Sequence, residues 1–284
     1  MRKVQYIAIA VAIILIALLY WGGNTTPPAK NNAPVASTKP GEMSSGSNTV
    51  KPASFDSILS ASRLQLTPQA ANEIKTIENE LSAIHDSSRM AEVFIRLAKV
   101  WEKSKQYPVA GFYSEKAAKL ENSEKMLNFA GQFFLDRVSE AGSESVQQWE
   151  MDQAAGCFQR SLELDKNNDT ASLGLANIYV NRGEIMKGVG ILREITQRKP
   201  DNIPANMMLG ALSVQSGQLD KAIGRFETIL KVEPENSDAI LYLAEIYEKK
   251  AEKEKAIEYY KKFKQQVKDP EVIRKVDEHI NSLK

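Results

Sequence analysis

Few side chains in this chain are of a reactive type, and their spacing argues against chemistry. The two histidines, His85 and His279, stand far apart, and neither has a ligand or nucleophile partner at useful spacing. Exposed helical positions account for both. Cys157 is the single cysteine, which excludes an intramolecular disulfide framework and a multi-cysteine metal site. Beside Phe158 it reads as a small apolar packing residue. Gly183 and Gly188 have the spacing of a phosphate loop, but Val189-Gly190 follow where Lys-Ser/Thr is required. The carboxylates of Glu248–Lys268 alternate with lysines, as i,i+4 pairs do on a solvated helix face. Lys and Arg total 37 against 36 Asp and Glu, a net charge of +1 that lacks the basic footprint of a nucleic-acid binder. The expectation is a protein with no catalytic residue, no cofactor and no metal.

What the chain does have is repetition. Leu175, Leu209 and Leu243 recur at an interval of 34, as do Ala176, Gly210 and Ala244, then Gly188, Ala222 and Ala256, then Leu192, Phe226 and Tyr260. Gly183 is echoed by Gly217, and Pro200 by Pro234. Leu175, Ala176 and Tyr179 share one helix face, and Gly188, Leu192 and Ile195 share a face of a second segment. The small residues fall where two helices would cross, since a larger side chain would push the axes beyond about 8–10 Å. Gly183 and Gly217 fall in the turns, where positive φ is wanted. The prolines stop the second helix. A period of this length marks a stacked array of helix pairs.

At these residues the chain resembles the tetratricopeptide repeat family. The unit from Ile203 supplies Leu209-Gly210, Gly217, Ala222, Phe226, Ile229 and Pro234. The unit from Ser237 supplies Leu243-Ala244, Tyr247, Ala256, Tyr260 and Phe263, with Lys268 in the proline slot. The resemblance implies an all-α fold, a right-handed superhelical solenoid of about five helix pairs over residues 91–270. The units lie near 91–123, 124–168, 169–202, 203–236 and 237–270. In the first, Leu97-Ala98, Trp101, Tyr107, Ala110 and Ala117 occupy the family slots. The two halves of the second are out of register by 11 residues, which implies an insertion over 139–151 that carries Trp149. A helix over 67–90, opened by Thr67-Pro68, covers the array at one end. An amphipathic helix over 271–284 caps the other.

The amino-terminal stretch is of another kind. Arg2 and Lys3 precede Val4–Trp21, 18 residues with only Gln5 polar. At helical rise they span roughly 27 Å, close to a bilayer core. The run ends Leu19-Tyr20-Trp21-Gly22, without the small-x-small exit of a cleaved signal peptide. This predicts an uncleaved anchor over 1–21 that places the amino terminus in the cytoplasm and the rest outside. The resemblance to bacterial anchored repeat proteins implies that this is the periplasm and the protein an inner-membrane, single-pass one. Residues 22–66 read as a flexible linker rich in Pro, Ser and Asn. A short amphipathic element is expected inside it, through Phe55, Ile58, Leu59 and Leu64.

If the family register holds, positions two, five, nine and twelve of each unit line a concave groove on the first helices. The resemblance thereby assigns protein binding to Leu173, Asn177, Val180, Met207, Ala211, Val214, Leu241, Glu245 and Glu248. The middle of this row is apolar and contains an adaptable methionine. Asn177 is suited to a peptide backbone, and Glu245 and Glu248 to a basic group. Family members that grip acidic carboxyl-terminal tails use cations at inward positions; Leu173, Met207, Leu241 and Glu245 stand there instead. The expected function is a membrane-anchored scaffold or adaptor binding other proteins, as in translocation or envelope assembly. A holdase-type chaperone and a self-associating structural protein are the alternatives.

Overall fold

The computed structural model describes residues 51–140 and 142–284. Among these residues it forms thirteen α-helices, one 3-10 turn and no strand. They are α1 (Phe55–Arg63), α2 (Pro68–Leu81), α3 (Ser87–Lys103), α4 (Tyr107–Glu121), α5 (Glu124–Arg137), α6 (Glu144–Leu164), α7 (Asp169–Asn181), α8 (Ile185–Arg198), α9 (Ile203–Gln215), α10 (Leu219–Val232), α11 (Ser237–Lys249), α12 (Lys253–Gln266) and α13 (Pro270–Leu283); the 3-10 turn is Val138–Glu140. The chain divides into two compact units at Tyr259/Tyr260, within α12.

The larger unit, up to Tyr259, is an all-α repeat solenoid. Helices pair α3 with α4, α5 with α6, α7 with α8 and α9 with α10. Each pair meets the next through α4 and α5, α6 and α7, α8 and α9, then α10 and α11. The repeat extends down to single hydrogen bonds. Asn168, Asn202 and Asn236 cap α7, α9 and α11, their side chains accepting from the N–H of Ala171, Ala205 and Ala239 at 2.9, 2.9 and 3.0 Å. Such a cap satisfies one orphan donor of the first turn. The turns after α7 and α9 sit on Gly183 (φ 78°) and Gly217 (φ 74°), as their spacing predicts. In the third copy Ala251 takes the same left-handed place (φ 58°) without glycine's freedom.

Small residues set how closely the helices approach. A Cβ on Gly188 would lie 2.9 Å from the Ala176 carbonyl oxygen, so α7 and α8 come together backbone to side-chain face. The Phe158 ring on α6 is wedged between two first helices: a Cβ would meet it at 2.8 Å from Gly131 and at 2.3 Å from Gly174. Phe134, Phe158 and Phe226 are fully buried and alternate with these small positions along the stack.

The amino-terminal part departs from the sequence reading in three places. Residues 55–63, where a short amphipathic element is expected inside the stretch assigned to linker, form helix α1, capped by Ser54 and anchored by buried Ile58. The linker reading is therefore left with residues up to 54, of which those up to 50 lie outside the described residues. The helix expected over 67–90 ends at Leu81; Asp86 then caps a new helix, accepting from the Arg89 N–H at 2.9 Å, so α3 starts ahead of residue 91. The insertion 139–151 is spent mostly on lengthening α6 to 21 residues, after the 3-10 turn. It does so because Ser143 supplies a cap and Val146, Trp149 and Glu150 continue the face of Ala154 and Phe158 one turn at a time.

In the smaller unit the described residues are Tyr260–Lys284. Ile280 of α13 is buried, His279 meets Tyr260 edge to face at 5.0 Å, and Lys264 pairs with Asp277 at 2.7 Å. Among the described residues no helix is long and apolar enough to cross a membrane. The anchor expected over 4–21 lies outside them.

Candidate functional site

The nine residues assigned to protein binding lie on α7, α9 and α11, at the same three registers of each helix. Leu173, Val180, Met207, Ala211, Val214, Leu241, Glu245 and Glu248 are half-buried, and Asn177 is exposed. None is in the core. Their neighbours one step round the helix, Ala176, Leu209, Gly210, Leu243 and Ala244, are buried against the second helices. Each first helix thus divides into a core face and a partly open face, and the nine residues lie on the open face of three consecutive repeats.

The row is not uniformly available. Leu173 packs against the cluster of Ala176, Leu192, Ile195, Ala205 and Leu209, so it contributes to the α7–α9 core as well as to the surface. The Asn177 side-chain carbonyl already accepts from the Asn181 amide at 2.7 Å, one turn on. A peptide backbone would find the Asn177 amide group there, rather than its oxygen. Met207 and Val214 on α9 are the central apolar pair. At the far end Glu245 acts on Tyr242, whose phenol is raised by burial first and then by Glu245 and Asp238. Tyr242 in turn stacks on Phe226 at 4.6 Å, ring planes within 7°. Glu245, at the acidic end of the row, therefore stands near a stacked aromatic pair.

Other groups take their places around this face. A shallow open cleft of about 340 Å³ lies between α2 and α3, lined by Glu73, Thr76, Arg96, Lys99 and Lys103. Arg96 is committed to both oxygens of Glu80, at 2.9 and 2.8 Å. Cys157 is buried, and burial with the nearby Glu115 charge pushes its thiol up, far from thiolate reactivity. His85 is exposed on the connection between α2 and α3, and His279 is half-buried on Tyr260, so neither is the exposed helix histidine expected. Among the described residues no group of three His, Cys, Asp or Glu side chains gathers as a metal ligand set.

Residues 213–274 match the tetratricopeptide repeat. The matched segment runs from the end of α9 into α13, under a quarter of the chain. The 34-residue interval and the repeated asparagine caps continue back to Asp169. A comparison with curated proteins finds no match. Among solved structures the chain is similar to Pseudomonas aeruginosa pilF, at 17% identity and a TM-score of 0.50, over 69% of this chain and 90% of that one. It is also similar to MamA from Desulfovibrio magneticus RS-1 (18%, TM-score 0.49, 65% and 97%) and to TTC0263, a tetratricopeptide protein of Thermus thermophilus (16%, 0.47, 68% and 98%). At these identities the likeness to pilF speaks for the helical-repeat fold alone.

Two features escaped the sequence reading. The first is the aromatic cluster of Phe55, Phe94, Phe112, Tyr113, Phe134 and Trp149, which gathers residues from α1, α3, α4, α5 and α6. No periodic pattern links Phe55 to Trp149, so only the fold could reveal the contact. The second is Glu150, 1% exposed. A signal for it existed: counting back from Phe158 and Ala154 by four places Glu150 on the core face.

Proposed function

We propose that this protein is a non-catalytic scaffold that binds other proteins through the open face of α7, α9 and α11. One observation carries the reading: three consecutive first helices keep their large apolar and acidic side chains half-exposed at identical registers. Burial there is set by the repeat and not by a neighbour that happens to cover one site. Met207 and Val214 would hold the apolar side of a partner segment, and Glu245 and Glu248 a cationic residue beside it. We further propose that residues 4–21 anchor the chain in a bacterial inner membrane with the helical array on the periplasmic side. The apolar run behind Arg2 and Lys3, in which only Gln5 is polar, supports this.

The test is partner capture from native membranes with the full chain, wild type against Met207→Asp with Val214→Asp. Leu173 is left intact because it packs into the core. A small, stoichiometric partner set that the double variant loses, with helicity retained by circular dichroism, is the expected result. Weak recovery of many unrelated clients would favour a holdase, and self-assembly without partners a structural role; both would overturn the adaptor reading. For the anchor, alkaline extraction of membranes should leave the full chain in the pellet, and its release would refute that part alone.

A further inference from the structure

The chain enters the array through a strap. The Ala53 N–H donates to the Ser145 carbonyl at 2.9 Å, joining residues just before α1 to the first turn of the lengthened helix α6. Two residues on, Phe55 stacks on Phe112 at 3.5 Å and lies 6.0 Å from Trp149 with ring planes 23° apart. Trp149 meets Phe134 edge to face at 5.6 Å and is buried. The strap thus holds to α6 by one backbone hydrogen bond at Ser145 and one aromatic contact a turn later.

The residue after Trp149 is Glu150, and its Oε2 is buried without a hydrogen-bond partner. The elements around α6 bring several charges, each paired with another side chain, although the Nε of Arg182 is buried without a partner. Arg137 of α5 pairs with Glu140 at 3.4 Å, and Asp136 accepts from Gln132 at 2.7 Å. Arg182 after α7 pairs with Asp152, and Glu115 of α4 pairs with Lys119 at 2.6 Å. The charge that acts on Glu150 is Glu140, in the 3-10 turn, and it is of the same sign.

We propose that the docking of residues 53–55 on α6 is a pH-sensitive latch, closed while Glu150 is protonated and opened when it ionises. Burial first, and Glu140 second, push the Glu150 carboxyl up to about 7, so both forms occur near neutrality. The neutral form leaves no charge buried there. The ionised form is a buried charge beside another carboxylate, and its relief is access to water. That access requires the first turns of α6 to shift, and those turns carry both Ser145 and Trp149. Opening releases the segment that joins residues 1–50 to the helices, so the array's freedom relative to that segment rises with pH.

The test is amide hydrogen exchange on the full chain at about pH 5.5 and about pH 8.5, corrected for intrinsic rates. Protection of residues 53–63 should fall by about tenfold or more at the higher pH, while α8–α10 stay unchanged. Glu150→Gln should keep the strap protected at both pH values, and Glu140→Gln should move the midpoint down. Equal protection at both pH values in the wild type, the same loss in Glu150→Gln, or parallel loss in α8–α10 would overturn the latch. Should Glu150→Gln fail to fold, the carbon-13 shift of the wild-type Glu150 carboxyl decides. A midpoint near 7 supports the latch, and one in the ordinary glutamate range refutes it.

Discussion

The two ends of the larger unit are held together by different means. From α7 to α11 the same devices recur each 34 residues: an asparagine cap, a left-handed turn residue, a small residue at the crossing and a large buried side chain on the second helix, Leu192 and then Phe226. Each repeat touches only its neighbours, so stability there is a sum of local terms. From α1 to α6 the caps vary between Ser54, Thr67, Asp86, Ser123 and Ser143, and the core is an aromatic cluster. Its contacts join Phe55 to Trp149 across most of that region. Regularity yields a face that repeats and can be read by a partner; irregularity yields a closed knot of contacts in which one buried group can influence a distant segment.

The sharpest way to break this contrast is at the seam. Phe158 belongs to the irregular half yet is wedged against Gly131 and Gly174 on either side. Phe158→Ala should cost about 3–5 kcal/mol and split a single thermal transition into two, measured by calorimetry. Retention of one transition would show that the halves are coupled more broadly than through this ring.

A second prediction concerns pH. Glu150 holds its proton up to about 7 when folded against 4.5 in the unfolded chain. The folded state then binds the extra proton between these values, so stability is full below about pH 4.5 and falls as pH rises to about 7. The loss is up to about 3 kcal/mol, read from urea titrations at a series of pH values. Glu150→Gln should flatten that slope, and a mutation in the regular half should leave it intact.

Much of the regular half was legible in the sequence because its devices are local. The positive φ of Gly183 and Gly217 follows from their place between two periodic segments. The half-exposed state of Met207 and Val214 agrees with the register that placed them. The same reading missed that the Asn177 oxygen is taken by Asn181, since both residues look equally solvated in a sequence. It set only a short amphipathic element, through Phe55, Ile58, Leu59 and Leu64, inside a stretch otherwise given to linker, because nine residues of modest polarity have no helix signal stronger than their tertiary contacts. The length of α6 was ambiguous for a physical reason: eleven extra residues can lengthen a helix or loop out, and the Ser143 cap with the continued apolar face decides it.

Smaller changes sharpen the comparison within the regular half. Gly210→Ala would place a Cβ 2.7 Å from the Phe226 ring and should destabilise by about 1–3 kcal/mol, measured by denaturant unfolding. Asn202→Ala removes the α9 cap and should cost about 1 kcal/mol. Ala251→Gly should instead stabilise by about 1 kcal/mol, because the third copy holds an L-residue at φ 58° where its siblings have glycine.

The most direct test of the scaffold reading places a photo-crosslinking residue at position 207, on the open face of α9, or at position 197, exposed on the second helix α8, in the full chain within living cells. The account predicts discrete adducts with a partner from position 207 and none of comparable yield from position 197. Adducts from position 197 alone, or equally from both, would contradict it and move the binding surface off the first helices.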